Sequence, residues 1–266
     1  MAWQIENPSQ DQRVLIGMPH VGKFSEAVFL SWQAVDTAPF NRVWVTDRGR
    51  PIDQSRNIMV TKALQHHCDY LWMVDSDILI RPETFNQLQA AHQPVVSAMY
   101  RQRHPPHHII ATKAGVHVHV EEVEQFKGKN VFMQVQEVGM GCCLIDIRVI
   151  KKLVSKINQW HCFQDHSHDI KVEAAIFTDQ EAKDTEYKCR YCNGLLLSWL
   201  FENRTARTAQ QALSEDYYFC WLVNQAGFNI MLHTDCWVTH ELGDGFRIDE
   251  KGISSSTTSV DSGVIR

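Results

Sequence analysis

Two acidic residues interrupt one of the most apolar runs of the chain, "YLWMVDSDILI" at positions 70–80. Ionised carboxylates avoid such surroundings unless something compensates their charge. Asp75 and Asp77 are two residues apart, so on a strand their side chains point to the same side. Oxygen ligands of this kind suit Mg²⁺ or Mn²⁺. The run therefore predicts a divalent-metal site; the alternative is a surface pair that begins a turn before the helix at Pro82.

Further polar residues with suitable chemistry follow other predicted strands or open the next helix. Arg56 suits a diphosphate, because its planar guanidinium pairs with phosphate oxygens and its place in a first helical turn opposes the helix dipole. Asn57 and Asp47 suit hydrogen bonds to a base or a ribose. The alternative for Arg56 and Asn57 is an ordinary polar first turn. We expect the same crevice to be lined by Pro19, His20, Ser76 and Arg101.

The elements that must position these residues alternate between strand and helix over the first hundred residues. Apolar and β-branched runs predict strands, and amphipathic runs between them predict helices. Strands are predicted at 13–20, 42–47, 70–77 and 94–100, with helices within 23–35, 49–67 and 81–92. This pattern indicates an α/β fold with a mainly parallel sheet flanked by helices. Ligands bind such sheets beyond the carboxyl ends of the strands, where Asp75 and Asp77 lie.

The second half of the chain is less regular. We expect antiparallel strands at 107–126 and 130–139 around a turn at 127–129, and a strand that continues into a helix at 142–157. A helix at 214–227 and a final strand pair, or one bent strand, at 229–241 follow. One domain over 1–251 is the simplest division, with a nucleotide-type half at 11–103, a second half at 104–251 and an insertion at about 160–195. The low-complexity segment 252–266 predicts a disordered tail.

Composition limits the classes of partner. The chain has 266 residues, is 44% hydrophobic and carries a formal net charge of -5. The negative charge argues against nucleic acid as a bulk electrostatic partner. No apolar run approaches the roughly 20 residues of a membrane span, and the first residues lack a signal-peptide core. We expect a cytoplasmic protein, for which contact with a membrane through a surface patch stays open.

Five spaced motifs together resemble the nucleotide-sugar glycosyltransferases of the GT-A fold, a Rossmann-like α/β fold with a small antiparallel acceptor-side region. They are Ser55-Arg56-Asn57, the D-x-D motif Asp75-Ser76-Asp77, Gly139-Met140-Gly141, Ser214-Glu215-Asp216, and "WVTH" ending at His240. Each motif alone is weak, whereas their order and spacing are fairly specific. The resemblance covers residues 13 to about 241.

The resemblance implies a role for each matching residue. Asp77 would ligate Mn²⁺ or Mg²⁺ directly, Asp75 would bind through water or hold the ribose, and His240 would complete the site as a neutral imidazole. His233 is the competing candidate. An inverting enzyme also needs a general base for the acceptor hydroxyl. Asp216 is the expected base, with Glu215 on acceptor or sugar hydroxyls; a retaining enzyme would need no such base.

The implied activity is metal-dependent transfer of a sugar from a UDP- or GDP-sugar to a hydroxyl of a glycan, lipid or protein. One alternative is a nucleotidyltransferase that makes the sugar nucleotide, although "GMPHVGK" (17–23) is not a dense glycine-rich phosphate loop. The other is a non-catalytic module that binds carbohydrate or nucleotide.

The insertion adds a separate metal hypothesis. Cysteine and histidine residues at these spacings can form a tetrahedral structural zinc site. The candidate ligands are Cys162, His166, Cys189 and Cys192. Such a site could hold together a loop that has little core of its own. The alternative is a set of thiols in a surface loop.

Overall fold

The structure, a computed structural model, describes residues 11–20, 22, 24–156, 159–162, 170–171, 196–203, 213–243 and 246–255. The zinc hypothesis falls outside this part of the chain. His166, Cys189 and Cys192 are not among the described residues, and of Cys162 only the strand backbone is described.

Six helices and seventeen strands form the described part of the chain. The helices are α1 Glu26–Gln33, α2 Ile52–Gln65, α3 Thr84–Gln89, α4 Val120–Glu124, α5 Ile147–Val154 and α6 Glu215–Gln225. The strands are β1 Arg13–His20, β2 Asn41–Arg48, β3 Tyr70–Val74, β4 Ile78–Leu79, β5 Val95–Met99, β6 Ala111–Lys113, β7 Val116–His117, β8 Phe132–Val135, β9 Glu137–Val138, β10 Cys142–Asp146, β11 Gln159–Cys162, β12 Ile170–Lys171, β13 Leu196–Leu197, β14 Ile230–Trp237, β15 Thr239–Gly243, β16 Phe246–Asp249 and β17 Gly252–Ser255.

The main sheet has seven strands in the order β2-β1-β3-β10-β5-β14-β8. Strands β2, β1, β3, β5 and β14 run in one direction, whereas β10 and β8 run against their neighbours. The sheet is therefore mixed, which corrects the prediction of a mainly parallel one. The chain enters β10 at the carboxyl end of β3, where the Asp75 amide donates to the Gly141 carbonyl at 2.9 Å. From that edge, β10 must run back along β3.

Helices cover both faces of this sheet, which explains the apolar run before Asp75. Alternate β3 side chains pack on opposite faces, with Leu71 and Met73 in one core cluster and Trp72 and Val74 in the other. The first cluster includes residues of α2, α5 and α6, and the second includes residues of α1 and α3. All five β3 residues are buried. A strand enclosed on both faces holds the residues at its end in a defined position.

The predicted alternation of strands and helices over residues 13–100 is confirmed, but the region 107–139 differs from the prediction. A short hairpin pairs β6 with β7 through Ala114 and Gly115, both at positive φ. The segment 120–124 is helical, and the turn at 127–129 leads from α4 towards β8. The predicted long antiparallel pair around 127–129 is therefore wrong. The alternating pattern of 116–120 did not reveal that a glycine at 115 reverses the chain earlier.

The last strands form a second sheet in the order β17-β16-β15-β4. Strand β15 pairs with β4, the short strand after the D-x-D motif, and places His240 opposite Ile78. Asp77 and His240 are 163 residues apart in the sequence. The pairing of β15 with β4 thus brings the D-x-D segment and this histidine together at one sheet. Residues 252–255 form strand β17, which corrects the predicted start of the disordered tail.

Candidate functional site

Polar side chains from several distant segments meet beyond the carboxyl end of β3. Asp75 directly follows the buried strand, and Asp77 precedes β4. The amino terminus of α6 brings Glu215 and Asp216, and α2 brings Arg56. His240 arrives on β15. Two linked groups of contacts result, one around Asp77 and one around Arg56.

The first group joins Asp77, His240 and Arg103. Nε2 of His240 lies 3.1 Å from Oδ2 of Asp77, and Nη2 of Arg103 lies 3.7 Å from the same oxygen. Burial alone raises the pKa of Asp77, but the hydrogen bond from His240 and the charges of His240 and Arg103 outweigh it, so that the pKa is lowered. Burial alone lowers the pKa of His240, and the contact with Asp77 reverses this, so that the pKa is raised.

A backbone carbonyl orients the His240 ring. Nδ1 of His240 lies 2.9 Å from the carbonyl oxygen of Arg101, which can only accept a hydrogen bond. Nδ1 therefore carries a proton, and Nε2 is the nitrogen directed at Asp77. A histidine that ligates a metal commonly has its other ring nitrogen held by a carbonyl in this way.

Asp77 and His240 fit two adjacent positions around a divalent cation. Ligand atoms at about 2.1 Å from a cation and at right angles to each other lie about 3.0 Å apart, close to the 3.1 Å observed between Oδ2 and Nε2. Within the described ranges, however, no group of three or more His, Cys, Asp or Glu side chains is arranged to hold a metal ion. The predicted trio with Asp75 is thus not assembled as three ligands.

The second group surrounds Arg56, whose side chain is 2% exposed. Nη2 of Arg56 donates to both oxygens of Asp75, at 3.1 and 3.3 Å, and Nη1 donates to Oε1 of Glu215 at 2.7 Å. Nη1 also forms an ion pair with Asp216. Burial raises the pKa of Asp75, and although Arg56 opposes this effect, nearby Asp77 adds to it. One buried cation therefore joins the end of β3 to the amino terminus of α6.

These contacts correct the roles predicted for Arg56 and Asn57. Both terminal nitrogens of Arg56 bond to carboxylates, so its fork is not directed at a diphosphate. Asn57 is fully buried; its amide group donates to the Phe201 carbonyl at 2.7 Å, and its oxygen accepts from the Leu200 and Phe201 amides. Asn57 thus holds the segment at 200–201 rather than facing a base or ribose.

Arg101 also departs from its predicted donor-binding role. Its Nε and Nη2 donate to the carbonyls of Asp249 and Glu250 at 3.0 and 3.1 Å, and its guanidinium lies over the Trp237 ring. Arg101 thereby fastens the β16–β17 turn to β14. Its contribution to the site is the carbonyl that orients His240.

The remaining predicted donor-binding residues lie where β1, β2 and β3 end. Pro19 neighbours Asp47 across the two parallel strands. Asp47 is buried, accepts a hydrogen bond of 2.6 Å from the Ser55 hydroxyl, and forms an ion pair with Arg50. Nδ1 of His20 accepts from the Gly22 amide at 3.2 Å. Ser76 lies in the turn between Asp75 and Asp77 and is partly exposed. Asp47 thus organises the start of α2, whereas His20 and Ser76 stay accessible.

The two acids of α6 differ in their surroundings. Ser214 caps the helix by accepting from the Tyr217 amide. Oδ2 of Asp216 accepts from the Met140 amide at 3.1 Å, while its other oxygen contacts Arg56. For Glu215, Oε1 bonds to Arg56, and no hydrogen bond to Oε2 is found within the described residues. Glu215 therefore has the carboxylate oxygen that is better placed to receive a proton.

The glycines of the Gly139-Met140-Gly141 motif are explained by packing against Tyr100. The Tyr100 hydroxyl accepts from the Gly141 amide at 2.7 Å. A Cβ atom at Gly139 would lie 2.2 Å from that hydroxyl oxygen, and one at Gly141 would lie 2.8 Å from it. Any larger residue at either position would displace the tyrosine, which supports the segment beside Asp75.

His233, the competing metal candidate, lies elsewhere. It sits within β14, where its ring packs on Phe132 with centroids 4.6 Å apart and Nδ1 accepts from the Asp235 amide. Burial lowers the pKa of His233, despite the opposing charge of Asp235. Of the two histidines, His240 is the one beside the D-x-D segment.

Arg103, Glu241 and Arg247 form a further polar cluster beside Asp77. Arg103 is 46% exposed and donates to the Glu241 carbonyl at 3.3 Å. Arg247 lies 3.7 Å from the Glu241 carboxylate, which also accepts from the Ser25 hydroxyl at 2.8 Å. The pairing of β15 with β4 produces this cluster, and no local sequence pattern announces it.

No protein-family model matches the chain, and no curated protein matches it in sequence. Among solved structures, the crystal structure of A197 from STIV is similar, with a TM-score of 0.52 and 14% sequence identity. The similarity covers 92% of this chain and 94% of that chain. At this identity the likeness concerns the fold alone. Separately, none of the helices in the described ranges is long and apolar enough to cross a membrane.

Proposed function

We propose that the chain is a metal-dependent glycosyltransferase that moves a sugar from a nucleoside diphosphate sugar to a hydroxyl acceptor. The observation that carries this proposal is the meeting of Asp77, His240 and the Arg56-linked acids beyond the end of one buried strand. This is the edge at which α/β sheets bind ligands. The GT-A likeness of the five motifs supports the choice of reaction, and the similarity to a solved structure supports only the α/β architecture.

Asp77 and His240 are the residues that would hold Mg²⁺ or Mn²⁺. Such an ion, when bound, supplies positive charge that stabilises the departing diphosphate. Two protein ligands suffice for this use, because Mg²⁺ commonly combines one or two side chains with substrate phosphates and water. Asp75 is assigned to the Arg56 group rather than to the metal.

Arg103 is our candidate for binding the donor phosphates, because its guanidinium is exposed beside Asp77. It takes the role that the sequence assigned to Arg56. A guanidinium pairs with two phosphate oxygens at once and so also orients the donor. Its contacts with Asp77 and the Glu241 carbonyl are long enough to be exchanged for phosphate oxygens.

Glu215 is our candidate for the general base of an inverting reaction. It would accept the proton of the acceptor hydroxyl as that oxygen attacks the sugar. Asp216, the residue favoured by the sequence, has both oxygens engaged and is assigned to holding Met140 and Arg56. Arg56 contacts Asp75, Glu215 and Asp216 and acts as a residue that positions these carboxylates.

The nucleotidyltransferase alternative receives no support from Gly17, which lies within β1 rather than in a loop after it. A Cβ atom at Gly17 would lie 2.7 Å from the Met59 sulfur, so close packing of α2 on β1 explains this glycine. Packing is thus a sufficient reason for Gly17, without a phosphate loop.

A thermal-shift screen of UDP-, GDP- and dTDP-sugars with and without Mn²⁺ tests the proposal. A donor at 100 times its Kd adds about 2.7 kcal/mol of stability, or roughly 5–10 °C for a domain of this size. We expect one nucleotide class to raise Tm only with Mn²⁺, and Asp77→Asn to remove both this shift and any donor hydrolysis. If no nucleoside diphosphate sugar raises Tm, with or without Mn²⁺, the proposed glycosyltransferase activity is refuted.

A further inference from the structure

Four large apolar side chains are exposed together on the surface formed by α1 and β2. We call this surface the aromatic face; it comprises Phe24, Phe29, Leu30 and Trp44, which are 38%, 45%, 55% and 37% exposed. The three aromatic rings form a row of contacts through buried Trp32, with centroids 6.3 Å apart for Phe29 and Phe24, 6.1 Å for Phe24 and Trp32, and 6.0 Å for Trp32 and Trp44. Contiguous exposed apolar surface of this kind marks an interaction site.

Two exposed arginines lie at opposite ends of the aromatic face. Arg42 and Arg48 alternate with Trp44 along β2 and therefore point to the same side of the strand. Arg42 donates to the Val35 carbonyl just beyond α1, and Arg48 approaches Gly22, which precedes α1. The nearby acids are Glu26, in the first turn of α1, and Asp36, whose carboxylate accepts hydrogen bonds from the Ala38 amide and the Asn86 side chain. In a chain of net charge -5, this surface thus combines apolar and basic groups.

The size of the aromatic face argues against a second protein copy as its occupant. Large apolar side chains expose about 150–250 Å² when free, so the exposed fractions correspond to about 350 Å² in total. A stable protein interface buries about 800 Å² on each partner. Only about 57% of such an interface is apolar, or about 450 Å², so the roughly 350 Å² of the aromatic face falls short of the apolar area that a stable dimer buries.

The ring geometry argues against a glycan as the occupant. The planes of neighbouring rings in the stack differ by only 27°, 16° and 15°. Trp32, which lies between Phe24 and Trp44, is buried, so the ring at the centre of the stack offers no face to a sugar. Leu30, the most exposed member, offers no ring on which a sugar could stack.

We propose that the aromatic face docks the protein onto an anionic lipid bilayer. Phe29 and Leu30 would enter the boundary between headgroups and acyl chains, and Arg42 and Arg48 would pair with lipid phosphates, the division that interfacial helices use. The His20 ring contacts Phe24 at 5.7 Å, so the aromatic face adjoins the carboxyl end of β1. The docked protein thus presents the edge of its candidate site near the lipid surface. The proposal does not depend on the glycosyltransferase reaction.

Vesicle co-sedimentation tests the proposal without any donor or activity. Wild-type protein is mixed with phosphatidylcholine vesicles, alone or with about one third phosphatidylglycerol, at low and high salt. We expect binding to the anionic vesicles that weakens with salt. Phe29→Ser combined with Leu30→Ser should lower the partition coefficient at least about tenfold. Arg42→Gln with Arg48→Gln should lower binding to anionic vesicles and remove its salt dependence.

Two further variants keep the test decisive. Trp221→Ser removes an aromatic residue on α6 that is 47% exposed, and it should bind vesicles like the wild type. Leu30→Glu, a single change at the most exposed position, should abolish binding if the double variant does not fold. Wild-type protein that stays in the supernatant, or Leu30→Glu that still sediments, would overturn the proposal. The proposal would also be overturned if the wild type forms a dimer or binds glycans, and Leu30→Glu abolishes that interaction but leaves vesicle binding unchanged.

Discussion

Replacing Arg56 by methionine removes the single cation that joins three carboxylates. Its side chain is 2% exposed, whereas those of Asp75, Glu215 and Asp216 are 29%, 13% and 17% exposed. Breaking a buried ion pair costs about 3–5 kcal/mol. Because the three carboxylates are partly exposed and can turn towards water, we expect the lower end of this range, about 3 kcal/mol. For a domain of this size that corresponds to roughly 6–12 °C in Tm.

The loss of stability should depend on pH. Burial already raises the pKa of Asp75, and Arg56 opposes this effect. Without Arg56 the pKa rises further, so the folded variant takes up a proton that the unfolded chain releases. Protonation then favours the folded variant, and its deficit relative to wild type should shrink as pH falls from 7 to 5.

Calorimetric unfolding of the variants measures both effects. Lys127→Met is the control, because the ion pair that it removes, between Lys127 and Glu250, is exposed at 70% and 26%; its Tm should change far less than that of Arg56→Met. Arg56→Lys, which keeps the charge but not the fork, should fall between Arg56→Met and wild type. An Arg56→Met protein that unfolds within about 2 °C of wild type at pH 7, or whose deficit is independent of pH, would refute this reasoning.

Three other predictions concern the neighbouring groups. His240→Asn should destabilise the metal-free protein more at pH 6 than at pH 9, as measured by urea unfolding. The raised pKa of His240 in the folded protein adds stability that is complete below the unfolded pKa of about 6.5. This stability is lost as the pH rises through the raised value. Asp75→Asn should leave Tm at pH 7 unchanged or higher, since the raised pKa of Asp75 shows that its ionised form is disfavoured; a fall of several degrees would contradict this. Gly139→Ala should cost about 1–3 kcal/mol through its clash with the Tyr100 hydroxyl, and Tyr100→Phe in the same chain should recover part of the loss in a double-mutant cycle.

Much of the fold follows from local patterns in the sequence. Strand β1 spans the predicted residues, and the helix after Ser214 and the strand-to-helix change near Asp146 are confirmed. The direction of each strand in the sheet and its distant partner strands could not be predicted, because an apolar run looks the same whichever way the strand runs. Strand β10 is an example: the sequence predicts a strand there without a direction, and in the sheet it runs antiparallel to β3 and β5.

For the site, the sequence was informative about which residues meet but less about what each one does. Asp77 and His240, which the sequence assigned to one site, lie side by side in the structure, and the metal that they would hold stays a prediction. The partners of Arg56 and Asn57 lie more than 140 residues away, at Glu215 and Phe201. A guanidinium or an amide suits a phosphate or a buried carbonyl equally well, and only tertiary packing decides between them. The exposure of Arg103 beside Asp77 likewise arises from the pairing of β15 with β4.

The central claim is that Asp77 and His240, and not Asp75, hold a divalent cation together with a nucleoside diphosphate. Calorimetric titration of Mn²⁺ into the protein with UDP or GDP present tests it most directly. We expect one Mn²⁺ per chain for wild type and for Asp75→Asn, and a loss of at least about tenfold in affinity for Asp77→Asn and His240→Asn. Equal Mn²⁺ binding by wild type and Asp77→Asn, or binding abolished by Asp75→Asn alone, would contradict the account.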